Sequence, residues 1–281
     1  MEIIDSHTHW GPSVTMGTEV TTEELLKQAE QTGVSRIVIF PFPSMALADE
    51  EINEKLLEES NRIKKFIPYY YIPETMKPIP DVKPHEQSPW YPTPRPSGAT
   101  SRPNAGALIH GQRPWPSAAG GKGFYGGKWH WMWGIQDCSS NYQALEDPRL
   151  DEFIEASEKI NLPIVFEEEL AFTEVFVRKT KNLKIIIPHL GMLGGNPMDF
   201  LHTFKGRENV YFDTAIASTD TVMKFIDKIG HERVLFGSDI PFGTMEPCEI
   251  RRSMVDLPLE GPLFGVMHSR TAKAVPARVG G

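Results

Sequence analysis

The first candidates for chemistry are two histidines, His7 and His9, which lie close to the start of the chain. They follow Ile3 and Ile4, whose side chains predict a short buried strand. Residues two apart on an extended backbone project from the same face, so both imidazoles can turn toward one point. Neutral imidazole is a good ligand for zinc, iron or nickel. Many surface turns also contain two histidines, so the pair predicts a metal site only if other ligands lie near it.

Further residues of metal-binding type come late in, or directly after, apolar runs that predict strands: His130, Glu167, His189 and Asp239. Each also has a purely structural interpretation. Asp239 can cap a turn, and His189 can bond a backbone carbonyl. The run of glutamates that starts at Glu167 can begin a solvated helix, since carboxylates favour that end of the helix dipole. This interpretation suits Glu168 or Glu169 better than Glu167, which directly follows a buried strand and whose burial a divalent cation would make less costly.

The elements that would position these residues follow an α/β rhythm. Eight strands are predicted, at residues 3–4, 36–40, 66–72, 128–133, 163–166, 183–187, 210–213 and 233–239. Apolar residues at helical spacing predict helices at residues 21–32, 50–65, 147–160, 170–181, 197–204 and 219–229. The number of strands and the chain length predict a distorted (β/α)8 TIM barrel, with residues 1–281 as a single domain. The carboxyl ends of barrel strands form one mouth, so the candidate ligands are expected to meet there.

The third helix of this barrel is missing from the pattern, and residues 81–127 stand in its place. They contain eight prolines and eight glycines and show no helical apolar period. A structureless stretch of this length is unusual inside a compact domain. Three interpretations are open: a mobile loop over the site, a disordered insertion, or sequence foreign to the ancestral fold. We favour a poorly ordered surface segment, with a lid as the second interpretation.

Composition narrows the class of protein. The chain has 281 residues, of which 40% are hydrophobic and 23% are charged, which is typical of a globular protein. Its net charge of −8 argues against nucleic acid or an anionic membrane as the main partner. No apolar run approaches the roughly 20 residues of a membrane span. Cys138 and Cys248 are expected to be free thiols. The default prediction is a soluble cytoplasmic protein that acts on a small molecule.

Three motifs together resemble a known family: Ile4-Asp-Ser-His-Thr-His9, Ile187-Pro-His-Leu-Gly191 and Leu235-Phe-Gly-Ser-Asp-Ile-Pro-Phe242. They are similar to motifs of the amidohydrolase superfamily, and closest to its amidohydrolase-related (amidohydrolase 2) branch. That branch holds metal-dependent hydrolases and enzymes of the aminocarboxymuconate-semialdehyde decarboxylase type. The resemblance covers residues 1–80 and about 128–256. It is faint in the tail, residues 257–281, although residues 265–275 can form a helix.

The resemblance implies a distorted (β/α)8 barrel that holds one divalent metal ion, most simply Zn²⁺, with Mn²⁺ as another candidate. By the family pattern His7 and His9 would be metal ligands. Asp239 would bind the metal and take the proton of its water, while His189 would act as a general base or electrophile. The pattern usually has another histidine ligand where this chain has Glu167. A glutamate can bind zinc or manganese, but it makes the bound water less acidic and favours harder metals.

His130 lies at a neighbouring strand end and could replace the expected histidine instead of Glu167. It is also a candidate substrate contact, as is Trp10. The position of Trp10, like that of the tryptophan cluster at residues 129–133, is also typical of packing.

The resulting functional prediction is a metal-dependent hydrolase that acts on an amide, ester or lactone through a metal-activated water. The nearest alternative is a metal-dependent decarboxylase of an unsaturated or aromatic acid. A nuclease of the TatD type also uses this set of residues, but the acidic charge and the third motif weigh against it. A binding protein that has lost catalysis and a marginally folded barrel are two further hypotheses. Relatives often form homodimers, and the resemblance extends that expectation to this chain.

Overall fold

A curled sheet of eight parallel strands, seen in a computed structural model, forms the centre of the molecule. The structure describes residues 3–49, 51–72, 123–130 and 140–245. The first strand is β1 (Ile4–Ser13), which forms a hairpin with the short antiparallel strand β2 (Thr18–Val20). The other parallel strands follow in spatial order: β3 (Arg36–Pro41), β4 (Phe66–Tyr71), β5 (Gly126–His130), β6 (Ile164–Glu167), β7 (Ile185–Ile187), β8 (Val210–Asp213) and β9 (Val234–Leu235). Consecutive parallel strands that neighbour each other require crossover connections, which is the arrangement of an α/β barrel.

Backbone hydrogen bonds join the two edges of this sheet. The amide of Ser6 donates to the carbonyl of Phe236 at 2.8 Å, and the amide of His9 donates to that of Ile240 at 3.1 Å. A parallel bridge between Thr8 and Ile240 lies between them. The prediction of a distorted TIM barrel is therefore confirmed, and its seam runs along β1 and the residues that follow β9.

Seven helices are described around the sheet: α1 (Thr22–Thr32), α2 (Pro43–Ala48), α3 (Ile52–Arg62), α4 (Pro148–Lys159), α5 (Leu170–Lys179), α6 (Pro197–Phe204) and α7 (Thr219–Ile229). Their ends follow local chemistry. Thr21 caps α1, since its hydroxyl accepts the amide of Glu24 while the Glu24 carboxylate accepts the amide of Thr21. Gly33 ends the same helix in the left-handed conformation, with a φ of 76°. None of the helices in the described part of the chain is long and apolar enough to cross a lipid bilayer.

Both faces of the sheet are buried, which explains the nearly continuous apolar runs of its strands. Alternate residues point to the helices and to the barrel interior; Ile37 and Ile39 pack outward, while Val38 and Phe40 pack inward. The interior cluster consists of Val38, Phe40, Ile67, Tyr69, Val165, Ile186 and Leu235. Polar side chains at the strand ends lie above this apolar floor.

Several of the observed elements differ from the predicted ones. β5 begins at Gly126, so the irregular segment predicted at residues 81–127 extends too far. A Cβ on Gly126 would lie 2.4 Å from the Tyr69 ring, so a glycine is required inside this strand for steric reasons. The strand β2 and the short helix α2 were not predicted, and α3 is shorter than the predicted helix at residues 50–65.

Several predictions fall outside the described residues. These are residues 81–122 of the irregular segment, residues 131–133 of the fourth predicted strand, the tail at 257–281 with its helix at 265–275, Cys138 and Cys248.

Candidate metal centre

The two histidines of β1 point to the same side of the strand and into the barrel mouth, as the sequence predicts. His7 is fully buried and His9 is 5% exposed. Phe40 touches both rings, with centroid distances of 5.0 Å to His7 and 5.1 Å to His9. Phe42 stacks on His9 at 4.5 Å. These aromatic contacts hold the two imidazoles in place on the rigid strand.

Asp239 lies at the centre of the site and faces three imidazoles. Its Oδ1 lies 3.3 Å from His7 Nε2 and 3.2 Å from His9 Nε2, and its Oδ2 lies 3.2 Å from His189 Nε2. His189 and Asp239 both have left-handed backbone conformations, with φ values of 54° and 55°. Non-glycine residues adopt this conformation at a cost, and such residues cluster at functional sites. We call this cluster of His7, His9, His189 and Asp239 the three-histidine side of the mouth.

Several polar atoms on the three-histidine side are buried and have no hydrogen-bond partner within the described residues. They are His7 Nε2, His9 Nδ1, both ring nitrogens of His189, and Asp239 Oδ1. Buried polar atoms are almost always hydrogen-bonded in native proteins. A divalent cation would bind the nitrogen lone pairs and the carboxylate together. The candidate ligand atoms of His7, His9 and Asp239 lie within 4.8 Å of one another, which suits a single ion.

The electrostatics of these groups also suit a metal ion. Burial lowers the pKa of His9, which keeps its imidazole in the neutral form that binds metals. Burial opposes ionisation of Asp239, but the nearby imidazoles of His7, His189 and His9 outweigh it and hold the pKa of this carboxyl far below its usual range. Burial works against a charged His189, but Glu167 and Asp239 outweigh it and raise its pKa. The site therefore combines an ionised carboxylate with a histidine that readily carries a proton.

A second cluster, here called the lysine side, consists of Lys128, His130 and Glu167. Lys128 Nζ donates to Glu167 Oε2 and lies 4.8 Å above the Phe40 ring. Lys128 is 0% exposed, so its ammonium group pairs with the Glu167 carboxylate and does not reach solvent. The other oxygen, Glu167 Oε1, lies 3.7 Å from His130 Nε2 and 3.9 Å from His189 Nδ1. Glu167 can therefore touch the three-histidine side, and His7, Glu167 and His189 form a second set of atoms that could hold a metal.

On the lysine side, the pKa values of Glu167 and His130 are shifted by burial and by neighbouring charges. Burial raises the pKa of Glu167, but the charge of Lys128 outweighs this and holds it well below its usual range. Burial lowers the pKa of His130 to about 4, against the pull of Glu167. This side therefore already contains a matched cation and anion.

Sequence reasoning missed two buried carboxyl groups. Asp213 ends β8 and accepts a hydrogen bond from His7 Nδ1 at 2.8 Å. Asp5 accepts the amides of His7 at 3.1 Å and Ser238 at 3.0 Å, and burial raises its pKa to about 7. The signal for Asp213 was present, because it is a carboxylate at the carboxyl end of a predicted strand.

Two residues considered in the sequence analysis, Trp10 and Glu168, form hydrogen bonds with neighbouring side chains. The Trp10 indole N–H donates to the Thr22 hydroxyl of α1 at 3.1 Å, so the geometry favours packing, and a substrate contact by Trp10 stays a prediction. Glu168 is buried and accepts hydrogen bonds from Trp129 Nε1 and the Ser140 hydroxyl. Glu169 is exposed and directly precedes α5, as expected for a solvated helix start.

Comparison with known proteins gives one family and a consistent fold. Residues 109–247 match the family model described as Amidohydrolase. The structure is similar to that of a putative 2-pyrone-4,6-dicarboxylic acid hydrolase from Pseudomonas putida, with a TM-score of 0.56 and 16% identity over 95% of this chain and 94% of that one. A dihydroxybenzoic acid decarboxylase from a Polaromonas species, solved with manganese and the inhibitor 2-nitroresorcinol, gives a TM-score of 0.56 and 12% identity, and 92% of each chain is covered.

A third solved structure is an amidohydrolase from Burkholderia multivorans with bound zinc. Its TM-score is 0.54 and its identity 12%, over 86% of this chain and 85% of that one. At sequence identities this low, the three similarities show only a shared fold. A comparison with curated protein sequences gave no match.

Proposed function

We propose that the chain is a metal-dependent enzyme with its active site at the barrel mouth, since residues 109–247 match the amidohydrolase family model and the sequence motifs indicate the same family. The observation that carries this proposal is Asp239, one buried carboxylate that faces three imidazoles with unpartnered nitrogens among the described residues. His7, His9 and Asp239 would hold the ion, with Glu167 as the fourth ligand. Zn²⁺ is the first candidate and Mn²⁺ the second, and similar folds have been solved with each.

The proposed reaction is hydrolysis of an amide, ester or lactone. A bound divalent ion supplies Lewis acidity and makes water easier to deprotonate. Asp239 receives the proton from the attacking water at a carboxylate oxygen. His189 Nε2 lies 3.2 Å from Asp239 Oδ2, so the proton can pass to this imidazole. The raised pKa of His189 suits it to protonate the leaving group or stabilise developing negative charge.

The substrate would be a small organic molecule with an apolar part. Phe242 is 56% exposed, and its ring centroid lies 5.9 Å from that of His9, so an aromatic side chain borders the site from the solvent side. His130 faces Glu167 at the same mouth and stays a candidate substrate contact. Nucleic acid is not an expected partner at a net charge of −8.

Decarboxylation of an aromatic or unsaturated acid is the second candidate function. The buried ammonium of Lys128 favours it, because a cation inside the mouth could receive the carboxylate of such a substrate in place of Glu167. The same fold occurs in a protein described as a dihydroxybenzoic acid decarboxylase.

Metal analysis of purified protein tests the site. We expect about one divalent ion per chain in the wild type, strong loss in His9→Ala and Asp239→Ala and a smaller loss in Glu167→Ala, while the exposed-residue control Asp227→Ala keeps its metal. Full metal content in all three site variants would overturn the proposed site. Size-exclusion chromatography with light scattering would measure the homodimer that the resemblance implies.

A substrate panel tests the reaction. Metal-loaded protein is assayed with aryl esters, lactones and amides for hydrolysis, and with hydroxybenzoic acids for release of CO₂. Hydrolysis that is lost in Asp239→Ala supports the first proposal, and CO₂ release alone would replace it by the second. Bound metal without turnover would indicate a binding protein, and cleavage of DNA oligomers would indicate a nuclease.

A further inference from the structure

Asp213 is a buried carboxylate that contacts two parts of the candidate centre at once. It ends β8 and is 0% exposed. Its Oδ2 accepts a hydrogen bond from His7 Nδ1 at 2.8 Å. Its Oδ1 accepts the backbone amides of His189 at 2.9 Å and Ala215 at 3.0 Å. One side chain therefore ties β1 to the turn that follows β7.

The first contact fixes which nitrogen of His7 is available. An ionised carboxylate can only accept, so the proton of a neutral His7 lies on Nδ1. The lone pair then lies on Nε2, the atom that faces Asp239 Oδ1 at 3.3 Å. A histidine that binds a metal commonly donates its other N–H to a carboxylate, which fixes both the tautomer and the ring orientation.

The second contact fixes the turn that carries His189. His189 has a φ of 54°, a conformation that a non-glycine residue keeps only when its surroundings hold it. The bond from its amide to Asp213 Oδ1 supplies such a hold. In this conformation His189 Nε2 faces Asp239 Oδ2 at 3.2 Å.

Gly237 lies close to both His7 and Asp213, where there is little room for a side chain. A Cβ on Gly237 would lie 3.0 Å from His7 Cβ and 3.2 Å from Asp213 Cγ. A side chain at this position would therefore make unusually close contacts with both His7 and Asp213. The close approach of β1 and β8 at the mouth therefore depends on the absence of a side chain at Gly237.

We propose that Asp213 is a positioning residue that sets the metal-binding tautomer of His7 and, through the His189 amide, aligns the His189 imidazole with Asp239. The proposal rests on the proposed metal-dependent function. Asp213 acts through these two histidines and need not touch the ion or the substrate.

The variant Asp213→Asn separates the two contacts. The amide oxygen can still accept from His189 and Ala215, which leaves the NH₂ group facing His7 Nδ1. That nitrogen must then accept, so the proton moves to Nε2 and the metal-binding lone pair is lost. The reverse orientation of the amide would set its NH₂ group against two backbone donors.

Long-range ¹H–¹⁵N NMR of the histidine rings in metal-free protein reports the tautomer directly. We expect His7 to carry its proton on Nδ1 in the wild type and in Asp213→Glu, and on Nε2 in Asp213→Asn. A wild-type His7 with its proton on Nε2 would overturn the proposal without the need for any variant. This measurement does not depend on turnover or on bound metal.

Metal titration against a chelator completes the test. We expect Asp213→Asn to bind Zn²⁺ about 10- to 100-fold more weakly, with partial recovery in Asp213→Glu and no change in Asp227→Asn. In a His7→Ala background, Asp213→Asn should have little further effect. An unchanged affinity in Asp213→Asn would overturn the inference while leaving the proposed function intact. A wild type that binds no metal would overturn the proposed function, and the tautomer of His7 would still decide the role of Asp213.

Discussion

The two sides of the barrel mouth contain similar residue types, but the negative charges of their carboxylates are compensated differently. On the three-histidine side, Asp239 faces three imidazoles, each with at least one buried ring nitrogen that has no hydrogen-bond partner among the described residues. On the lysine side, Glu167 already has a buried cation, Lys128. Under the proposed function, the first side would be completed by an added metal ion, whereas the second already contains the Lys128 ammonium. We therefore expect most of the metal affinity to come from the three-histidine side and a smaller share from Glu167.

The largest expected effect is on the lysine side. Lys128→Met leaves Glu167, whose side chain is only 14% exposed, without its cation, so we expect a loss of about 3–5 kcal/mol in the free energy of unfolding, measured by urea denaturation. Glu167→Gln in the same background should recover much of this loss. The control Lys55→Met removes an exposed pair with Asp49 and should cost less than about 1 kcal/mol. Equal costs for the two lysine variants would remove the contrast between the sides.

Bound metal should stabilise the protein mainly through the three-histidine side. With metal at about 1,000 times its Kd, ligand linkage stabilises the wild type by about 4 kcal/mol. Thermal denaturation with metal and with chelator should show this gain in the wild type and none in Asp239→Ala. Glu167→Gln should keep most of it, with a loss of about 1.4 kcal/mol for a tenfold weaker affinity. A larger loss in Glu167→Gln than in His9→Ala would reverse the comparison.

The pH dependence of the free energy of unfolding should show whether His130 is neutral in the native protein. The pKa of this buried histidine is lowered to about 4 from an ordinary value of 6.5, so between these values the unfolded chain binds the proton and the native protein does not. The free energy of unfolding of the metal-free protein should therefore fall by about 3 kcal/mol as the pH is lowered from 6.5 to 4. His130→Asn should lack this contribution. The lowered pKa of His9 acts in the same direction, and a pH profile that His130→Asn leaves unchanged would count against a buried neutral imidazole here.

The smallest effect is expected at Trp10, which follows His9 in β1. Trp10→Phe removes the hydrogen bond to Thr22, which should cost about 1 kcal/mol of stability and leave the KM for substrate unchanged. Urea denaturation and steady-state kinetics measure the two quantities. A KM that rises severalfold while stability is unchanged would restore Trp10 as a substrate contact.

The barrel was predictable because its strands are apolar on both faces and end in polar residues. The rule that polar side chains at strand ends share one mouth predicted that His7, His9, Glu167, His189 and Asp239 would lie together, and the structure brings them together. The same rule applies to Asp213, which was overlooked because nothing in its short motif distinguishes it from a strand-ending turn residue.

Other features could not be read from the sequence. The pairing of Lys128 with Glu167 depends on the register of β5 against β6, which brings together two residues that are 39 positions apart in the chain. The left-handed backbone at His189 and Asp239 is held by tertiary hydrogen bonds, from the His189 amide to Asp213 and from the Asp239 amide to the His7 carbonyl, which a local motif does not show. Strand β2 and helix α2 are too short to show a reliable period.

The seam between β1 and the residues after β9 sets an order of events during synthesis. Asp5 and Ser238, which are hydrogen-bonded across the seam, are 233 residues apart in the chain. The amide of Asp239 also donates to the carbonyl of His7 at 2.8 Å, so the ligand and its strand are joined by the same contacts that close the barrel. While the chain is still on the ribosome, His7 and His9 emerge before Asp239 and are without this carboxylate. Under the proposed function, the ligands of the metal ion would therefore come together only after β9 and the residues that follow it have been made and the barrel has closed.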